Sequence, residues 1–510
     1  MAEIASIKKG NTISSNEDEF ITVNVADIRR KSVRGGMHTV ISQAVLTVVQ
    51  MASTVVLARL LSPNDFGILA MVLAVTGFAK IFRDMGLSSA AIQRKRLTAQ
   101  LQDNLFWLNV VAGFLLTTLI ATSAPLVAGF FGEPELMLVT VALSFNFLIG
   151  GFGIQHTTRL VRDMQFGKRA VAQITGAIAT LITTIVLAIK GYSYWALVWG
   201  ELAGTLATTL LVFHLSPFWP GLPRRERGTM SMMRFGTNVM GSNLINYFSR
   251  NLDNILIGKF CGPLALGLYT KAYSLILLPV KSINRPISSV AYPSLCRIDR
   301  QSEDFRDYYI STARTVALLT MPLMGFLFVY SETIIRLMLG EQWLEAARIF
   351  SVLALVGFIQ PTTTLRGIVI LSAGSARKNL YADAITTTVV LVAFLVGVRW
   401  GPMGVATAYV VAVWGLIQPM HLFSIKDTSI RPLDFFRACR TPAGVVIGLA
   451  VAFSAGNRLI SIHGFIGLAI TGVVFGLIAL GFFLVISDTR DLVRGFLAHL
   501  RSHDASKVAN

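Results

Sequence analysis

The sequence predicts an all-α integral membrane protein with about 14 transmembrane helices, arranged as two six-helix bundles that face a central cleft, plus two extra C-terminal helices. Of its 510 residues, 54% are hydrophobic and only 14% are charged, whereas a soluble domain carries about 25% charged residues. Apolar runs of roughly 20 residues, the length that spans about 30 Å of hydrocarbon, recur along the chain. The two halves of the chain also align with each other, which is typical of transporters.

The apolar runs divide the chain into two lobes and their connections. Residues 1–36 lack an apolar core, so we expect a cytoplasmic N-terminal arm and not a cleaved signal peptide. The remaining expected segments are an N-lobe at 37–214, a cytoplasmic linker at 215–235, a C-lobe at 236–424, a cytoplasmic loop at 425–437, helices 13 and 14 at 438–487, and a cytoplasmic tail at 488–510. The predicted helices are 37–60, 65–82, 104–131, 136–157, 169–190, 194–214, 236–260, 265–290, 306–330, 345–372, 379–398, 403–424, 438–458 and 463–487.

The distribution of Lys and Arg gives the orientation of these helices. Cations cluster in alternate loops, such as "QRKR" at 93–96 and "RRER" at 224–227, whereas the opposite loops, such as "SPND" and "CGPL", are short and poor in cations. Because excess Lys and Arg marks the cytoplasmic side, we expect both termini in the cytoplasm and predicted helix 7 running outward. The net charge of +18 is thereby explained by membrane topology, and nucleic acid is not an expected partner.

The sequence contains no motif for a cofactor, a metal or catalysis. Cys261, Cys296 and Cys439 lie far apart without metal-ligand spacing, and we interpret them as packing residues. The phosphate-loop pattern G-x-x-x-x-G-K-[ST], H-E-x-x-H and G-x-S-x-G are all missing. The longest predicted outer loop, near 331–344, has about a dozen residues, which disfavours a membrane glycosyltransferase because that class generally needs a substantial outer loop for its catalytic acid or base. We therefore expect no enzyme activity, no cofactor and no metal.

An internal repeat relates the two predicted lobes. Residues 34–91 and 234–291 align without a gap at an offset of 200, and "FGE" at 131–133 matches "LGE" at 339–341. The matched positions include a Pro-x-x-x-Gly turn after the first helix of each lobe. Both lobes begin on the same side, so we expect parallel repeats related by an axis along the membrane normal. The identical pairs are Arg34/Arg234, Gly36/Gly236, Ser42/Ser242, Pro63/Pro263, Gly67/Gly267, Ser88/Ser288, Ser89/Ser289 and Ala91/Ala291.

At several aligned positions of the repeat, the second lobe has a charged residue where the first lobe has a neutral one. A charge near mid-bilayer costs about 2.5–3.5 kcal/mol on insertion scales, so it usually faces a bundle interior or a wet cavity. Helical spacing places the polar residues of predicted helices 1, 7 and 8 in stripes, and we expect these stripes to line the cleft. The candidate substrate-binding residues are Arg250, Lys271, Lys281, Arg285, Gln43, Gln50, Asn243 and Asn246, with Asp253 and Glu201 as candidates for ion coupling.

Two interpretations of the charges stay open at this point. Asp253 and Lys271 lie at similar heights, roughly 10 Å below the outer surface at ~1.5 Å per residue, so they could pair across adjacent helices. That pairing would leave Arg250, Lys281 and Arg285 as surplus cations, which suit an anionic ligand. In the alternative, Arg250 and Asp253 form a structural pair within one helix, and the side chains of Lys281 and Arg285 extend to the membrane–water interface.

The stretch "NLDNILIGKFCGPLALGLYTKAYSL" resembles the N-x-D-x-x-L-I-G and L-G-x-Y-x-x-A-x-x-L pattern of the polysaccharide transporter family, which includes the Wzx flippases. "LARLLSPNDFGILAMVLAVTGFAKIFRDMGLSSAAIQRK" resembles the family's first helical hairpin. The superfamily also contains multidrug/toxin extruders and lipid II flippases. The resemblance extends over predicted helices 1–12, and it is strongest to exporters of acidic exopolysaccharides of the succinoglycan or colanic acid kind.

The resemblance implies a substrate, a compartment and partners. The expected substrate is an undecaprenyl-pyrophosphate-linked oligosaccharide, flipped by alternating access across a bacterial inner membrane. Membrane lipid surrounds the chain, and a polysaccharide polymerase and a chain-length regulator are candidate protein partners. The alternatives are a drug/ion antiporter of the same superfamily, a membrane glycosyltransferase or polymerase, and a non-transporting scaffold. An antiporter predicts a cavity dominated by carboxylates and aromatics, which the surplus of Lys and Arg disfavours.

Overall fold

The computed structural model of the chain describes residues 25–84, 86–94, 97–224, 229–457, 464–487 and 489–490, without the side chains of 25–38, 81, 229–246, 248–250, 376 and 457. Throughout these ranges the regular elements are helices, which confirms the predicted all-α class. The α-helices are α1 Val25–Leu60, α2 Pro63–Thr76, α3 Ala79–Asp84, α4 Leu87–Gln93, α5 Ala99–Phe131, α6 Leu136–Arg162, α7 Phe166–Ile189, α8 Tyr194–Leu215, α9 Thr229–Leu295, α10 Glu303–Val329, α11 Ser331–Met338, α12 Leu344–Thr363, α13 Leu365–Ser372, α14 Ala376–Gly397, α15 Gly401–Ile425, α16 Asp434–Asn457 and α17 Gly464–Val485.

Eleven of the described helical stretches are long and apolar enough to cross a membrane, so the chain is a multi-pass membrane protein. Two of these stretches, Asn251–Leu295 and Arg377–Ile425, are 45 and 49 residues long, which exceeds the roughly 20 residues of one crossing. Each contains an interruption that divides it into two arms. The total of fourteen helices and their arrangement in two bundles stay predictions.

The long helix α9 joins predicted helices 7 and 8 through a sharp kink. Gly262 has φ 82° and ψ 177°, a conformation outside the helical region that favours glycine because it carries no Cβ. Residues 229–261 and 263–295 are therefore two separate helical arms. Tyr269 in the second arm reaches Asp253 in the first, so the two arms pack side by side.

Predicted helix 2 is broken where the sequence suggested one continuous helix at 65–82. α2 ends at Gly77 and the chain resumes as the short α3. The hydroxyl of Tyr247, from α9, lies 3.0 Å from the carbonyl oxygen of Leu73 and 2.9 Å from that of Ala74. Carbonyls at a helix end need partners from outside the helix, and Tyr247 supplies one. A Cβ at Gly77 would lie only 2.2 Å from this hydroxyl, so glycine permits the contact.

The helices pack as neighbouring antiparallel pairs around a shared apolar core. α5 packs against α6, α7 against α8, and α14 against α15. The largest group of mutually contacting buried residues includes Met71 of α2, Tyr269 of α9 and Trp343 just before α12. This core therefore contains side chains from both halves of the repeat.

The C-terminal helix α16 is fixed to α10 by a bidentate ion pair. Arg306 Nε lies 2.6 Å from Asp434 Oδ2, and Arg306 donates a second bond of 2.9 Å to Asp434 Oδ1. Asp434 also accepts a hydrogen bond from the backbone N–H of Arg431, and its side chain is fully buried. Two parallel bonds between a guanidinium and a carboxylate fix geometry as well as energy, so α16 begins at a defined position on α10.

Candidate functional site

The two Pro-x-x-x-Gly turns of the repeat contact each other directly, and we name this contact the Pro–Gly crossing (residues 63–67 and 263–267). A Cβ built on Gly67 would lie 1.8 Å from the carbonyl oxygen of Pro263. A Cβ built on Gly267 would lie 1.8 Å from the carbonyl oxygen of Pro63. Both glycines are needed because the backbones meet too closely for any side chain. The reciprocal contact is the one that a two-fold relation between the repeats would produce.

A second reciprocal contact flanks the crossing. Arg59 donates a hydrogen bond to the carbonyl oxygen of Leu337 at the end of α11, and Lys259 donates one to the carbonyl oxygen of Phe130 at the end of α5. Arg59 and Lys259 occupy equivalent positions at the offset of 200. The last carbonyls of a helix have no internal partner and carry partial negative charge, so a cation stabilises them. Each repeat therefore caps a helix of the other.

The end of α1 is also held by the loop that precedes α12. The indole Nε1 of Trp343 donates a 2.8 Å hydrogen bond to the carbonyl of Ala58, and Gln342 Nε2 lies 2.7 Å from the same oxygen. Gln342 also contacts the carbonyl of Leu61 at 3.2 Å. Ala58 and Trp343 are both fully buried. With the crossing, these contacts close the molecule at the end that carries the 61–64 and 261–264 turns.

Asp253, the predicted ion-coupling carboxylate of predicted helix 7, is buried with 4% of its surface exposed. Its Oδ2 accepts a 3.0 Å hydrogen bond from the hydroxyl of Tyr269, and its Oδ1 accepts a 2.8 Å bond from the backbone N–H of Asn254. A buried carboxylate requires such donors because its desolvation is costly. Tyr269 is itself fully buried, so the pair forms an interior contact between the two arms of α9.

The pairing of Asp253 with Lys271, one of the two interpretations left open by the sequence, does not occur among the described side chains. The Nζ of Lys271 lies 3.6 Å from the centroid of the Phe66 ring, in a cation–π contact with α2. Phe66 in turn packs on Trp343, with ring centroids 5.6 Å apart. Tyr269 and Lys271 are two residues apart, which is about 200° around a helix. Since Tyr269 points towards Asp253, Lys271 points away from it.

Removal of the Tyr269 hydroxyl is expected to destabilise the protein. Tyr269→Phe leaves a buried carboxylate oxygen without its donor, which costs about 1–3 kcal/mol. We expect a lower apparent Tm of the purified protein, measured by size-exclusion chromatography after heating. Tyr292→Phe is the matched control, because Tyr292 lies on the same helix with its side chain exposed. Equal thermal stability of the two variants would contradict the role assigned to Tyr269.

The other predicted cleft residues have different surroundings. Lys281 and Arg285 have exposed side chains one helical turn apart on the second arm of α9. Asn284, between them, donates a 3.3 Å hydrogen bond to Thr364 of the loop before α13. Gln43 and Gln50 are exposed on α1. The side chains of Asn243, Asn246 and Arg250 lie outside the described part of the chain.

A polar cavity of about 640 Å³ lies within the N-terminal half, among α3, α6, α7 and α8. Glu201 Oε1 lies 3.9 Å from the Nζ of Lys80, and both side chains are partly exposed. Arg83 and Arg169 also line this cavity, and Arg83 donates a 3.1 Å hydrogen bond to the carbonyl of Asn146. The Nε atoms of Arg83 and Arg169 are buried without a hydrogen-bond acceptor among the described groups. Neither arginine forms an ion pair with a described carboxylate.

Arg83 and Arg169 are not among the candidate site residues that the sequence predicts. Arg83 lies at the predicted cytoplasmic end of helix 2 and Arg169 at the start of helix 5, where cations are ordinary anchors. A signal was present in the small residues of α6, because Gly150 leaves room for the Arg83 guanidinium: a Cβ there would lie 2.1 Å from an Arg83 nitrogen. Arg83 can therefore face the interior because the neighbouring helix has a glycine at position 150.

Comparisons with known proteins agree with this architecture. Residues 56–348 match the family described as "Polysaccharide biosynthesis protein". The teichuronic acid biosynthesis protein TuaB of Bacillus subtilis is 29% identical over 375 residues, covering 70% of this chain and 74% of TuaB. The lipopolysaccharide biosynthesis protein WzxC of Escherichia coli is 23% identical over 413 residues, covering 80% of this chain and 82% of WzxC.

A solved structure shares the fold. The lipid II flippase MurJ in an inward closed conformation superposes with a TM-score of 0.69 at 15% identity, covering 89% of this chain and 98% of MurJ. Because this identity is low, the similarity concerns the fold. The family match extends over more than half of the 510 residues, from α1 to α12, and includes the Pro–Gly crossing and both arms of α9. This chain belongs to the polysaccharide biosynthesis protein family.

Proposed function

We propose that this protein is a flippase that moves undecaprenyl-pyrophosphate-linked oligosaccharide repeat units across the bacterial inner membrane for polysaccharide biosynthesis. The observation that carries the proposal is the placement of Lys281 and Arg285 relative to the Pro–Gly crossing. These exposed cations lie 14 and 18 residues beyond Gly267 on one helical arm, about 21 and 27 Å at ~1.5 Å per residue. The closed end and the cations are therefore almost one hydrocarbon thickness apart.

The charge of the site suits the headgroup of this substrate. A pyrophosphate is a strong hydrogen-bond acceptor that lysine and arginine bind through charge-assisted bonds. Lys281 and Arg285 are the described cations that we assign to this headgroup, and Arg250 is a third candidate from the sequence. Lys271 we assign to the contact between α9 and α2, because its ammonium group lies over the Phe66 ring. Gln43, Gln50, Asn243 and Asn246 are proposed polar contacts for the sugars.

The proposed mechanism is alternating access, in which the lobes at 37–214 and 236–424 rock against each other. The contacts that hold the closed end are hydrogen bonds from Arg59, Lys259 and Trp343, together with the backbone contact at the crossing. All of these can break and reform without a change in covalent structure. Opening of the crossing would expose the substrate to the outer side, and its closure would return the protein to the described state.

For ion coupling, Glu201 is the better placed of the two predicted carboxylates. Its side chain is partly exposed beside Lys80 in the N-terminal cavity, whereas Asp253 is buried and held by Tyr269. We propose that the protein is a transporter and not an enzyme, with both termini in the cytoplasm. A polysaccharide polymerase and a chain-length regulator are the protein partners that this function implies.

Arg83 is expected to contribute to transport through the N-terminal cavity. Arg83→Ala removes a cation from the N-terminal cavity together with the hydrogen bond to the Asn146 carbonyl, so transport is compared at protein abundance matched to the wild type. We expect transport to fall by about tenfold, since a bond to a charged group contributes about 1.5–3 kcal/mol. Arg83→Lys should retain more activity. Full transport by Arg83→Ala at normal abundance would contradict this role.

Deletion of the gene tests the proposed function. A strain without the protein should accumulate the lipid-linked repeat unit on the cytoplasmic side and lose the corresponding polysaccharide, and the wild-type chain should reverse both effects. A drug/ion antiporter would instead change the efflux of cationic drugs and leave the lipid-linked pool unaltered. Normal polysaccharide and no accumulated intermediate in the deletion strain would contradict the proposal.

A further inference from the structure

A second polar pocket, of about 230 Å³, lies in the C-terminal half between α10, α12, α14, α15 and α16. Sites for drug-sized ligands measure about 300–1,000 Å³, so this pocket has room for one small ring and not for a whole oligosaccharide. Most of its polar side chains are uncharged, and no Asp or Glu is among the described residues that line it. The hydrogen-bonding side chains of its wall are Gln360, Thr362, Thr363, Thr364, Thr386 and Tyr409.

Arg366, the arginine among the described lining residues, already has a carboxylate partner. Arg366 lies 2.8 Å from Asp383, which is outside the lining, and donates a second bond of 2.9 Å to the hydroxyl of Thr386. The site therefore offers neither a surplus cation for an anion nor a carboxylate for a cation. The hydroxyls of Thr362, Thr363, Thr364 and Thr386 already donate to backbone carbonyls about one turn earlier, so they offer acceptor lone pairs to a ligand. This composition fits an uncharged ligand whose own hydroxyl groups donate.

One wall of the pocket is aromatic. The ring of Tyr309 stacks on His421 with centroids 6.1 Å apart and planes at 21°, and His421 lies 5.6 Å from Phe435. On the polar side, the amide nitrogen of Gln360 lies 3.3 Å from the Tyr409 hydroxyl. The oxygen of that amide and the Tyr309 hydroxyl accept no hydrogen bond from a described group. A pyranose ring has an apolar face and polar hydroxyl groups. The aromatic wall suits that face, and the polar side chains on the opposite side suit the hydroxyls.

The pocket adjoins the cations assigned to the headgroup. Thr364 on its rim accepts the 3.3 Å hydrogen bond from Asn284, which is located between Lys281 and Arg285. Residues three and four apart share one face of a helix, so the two cations and the bond to the rim lie together. A headgroup held by Lys281 and Arg285 would place the attached sugar beside this rim.

We propose that this pocket binds one uncharged sugar ring of the lipid-linked substrate and thereby contributes to selection of the repeat unit. The choice of ligand rests on the proposed flippase function. The pocket itself is defined by Gln360, Thr386 and the Tyr309 wall, and none of these residues was among the cations assigned to the headgroup. Recognition of the sugar and recognition of the pyrophosphate can therefore be separated by experiment.

The test uses the purified full-length protein in detergent micelles and saturation-transfer-difference NMR with glucose, galactose, N-acetylglucosamine and glucuronate, each alone. We expect a neutral sugar to give a signal with the wild type, with affinity about fivefold weaker in Gln360→Leu and in Thr386→Val. Thr388→Val is the matched control, because Thr388 is exposed on the same helix, and it should bind like the wild type.

The outcomes separate this inference from the proposed function. Lys281→Ala with Arg285→Ala should keep the neutral-sugar signal, because free sugars carry no pyrophosphate. The inference is wrong if no neutral sugar gives a signal, if only glucuronate does, or if Gln360→Leu and Thr386→Val bind like Thr388→Val. A failed sugar experiment leaves the deletion-strain result unchanged, whereas failure of the flippase function would appear as absence of the lipid-linked intermediate.

Discussion

Gly67→Ala is expected to open the closed end of the molecule. The new methyl group would lie 1.8 Å from the carbonyl oxygen of Pro263, so the two backbones must separate. Overpacking of this kind costs about 1–3 kcal/mol, and the obstacle here is backbone that cannot rotate away as a side chain would. The same argument applies to Gly267→Ala against Pro63. We therefore expect the population of molecules with a separated crossing to rise in both variants.

The measurement is labelling by a membrane-impermeant maleimide at Leu61→Cys, in a background without the three native cysteines. Leu61 is 3% exposed, so a cysteine there should react slowly while the crossing is closed and several times faster in Gly67→Ala. Gly129→Ala is the matched control: Gly129 is helical, and a Cβ there meets no atom within 4 Å. If Gly67→Ala and Gly129→Ala are labelled at equal rates, with both proteins at normal abundance, the Pro–Gly crossing does not control access to Leu61→Cys.

Simultaneous removal of Lys281 and Arg285 is expected to abolish most transport. Each bond from a cation to the pyrophosphate contributes about 1.5–3 kcal/mol, so the loss of each should reduce transport by roughly tenfold or more. Both side chains are exposed, and their truncation should leave protein abundance normal. The accumulated lipid-linked intermediate, measured in a deletion strain that carries the variant, reports the effect.

A matched double variant controls for the change in net charge. Arg297→Ala with Arg377→Ala also removes two positive charges, from other exposed positions on the same predicted side of the membrane. This control should transport like the wild type. Exchange of the two cations, Lys281→Arg with Arg285→Lys, should keep much of the activity because the charge remains. Normal transport by the double alanine variant at 281 and 285 would exclude these residues as headgroup ligands.

The fold class followed from the sequence because apolar runs long enough to cross a membrane can be identified directly from the order of the residues. The repeat offset also identified Pro63, Gly67, Pro263 and Gly267 as equivalent, and their mutual contact agrees with that alignment. The break between α2 and α3 was not apparent from the sequence. It depends on Gly77 meeting the hydroxyl of Tyr247, which is 170 residues away in sequence and comes close only in the folded chain.

The pairing of Asp253 with Lys271 was wrong for a reason of helical phase. The sequence gives the height of a residue along a helix from its distance to a turn, and by that measure the two residues matched. The direction of a side chain around the helix depends on how the arms of α9 pack. Tyr269, two residues before Lys271, occupies the side that faces Asp253. A tyrosine in an apolar run gave no signal of that role.

The N-terminal cavity could not be predicted from spacing in the sequence. Arg83, Arg169 and Glu201 are on three different helices, and only the packing of α3, α6, α7 and α8 brings them around one space. The C-terminal pocket depends in the same way on α12, α14 and α15. Stripes on single helices indicated where polar residues lie, whereas the sites themselves form between helices.

Reconstitution of the purified chain into liposomes with a fluorescent undecaprenyl-pyrophosphate-linked oligosaccharide tests the central proposal most directly. A membrane-impermeant quencher reports the fraction of headgroups in the outer leaflet. We predict that the wild type makes nearly all of the labelled lipid accessible, while liposomes with the double alanine variant at 281 and 285 leave the inner-leaflet fraction protected. Protection in wild-type liposomes equal to that in liposomes without protein would contradict the flippase function.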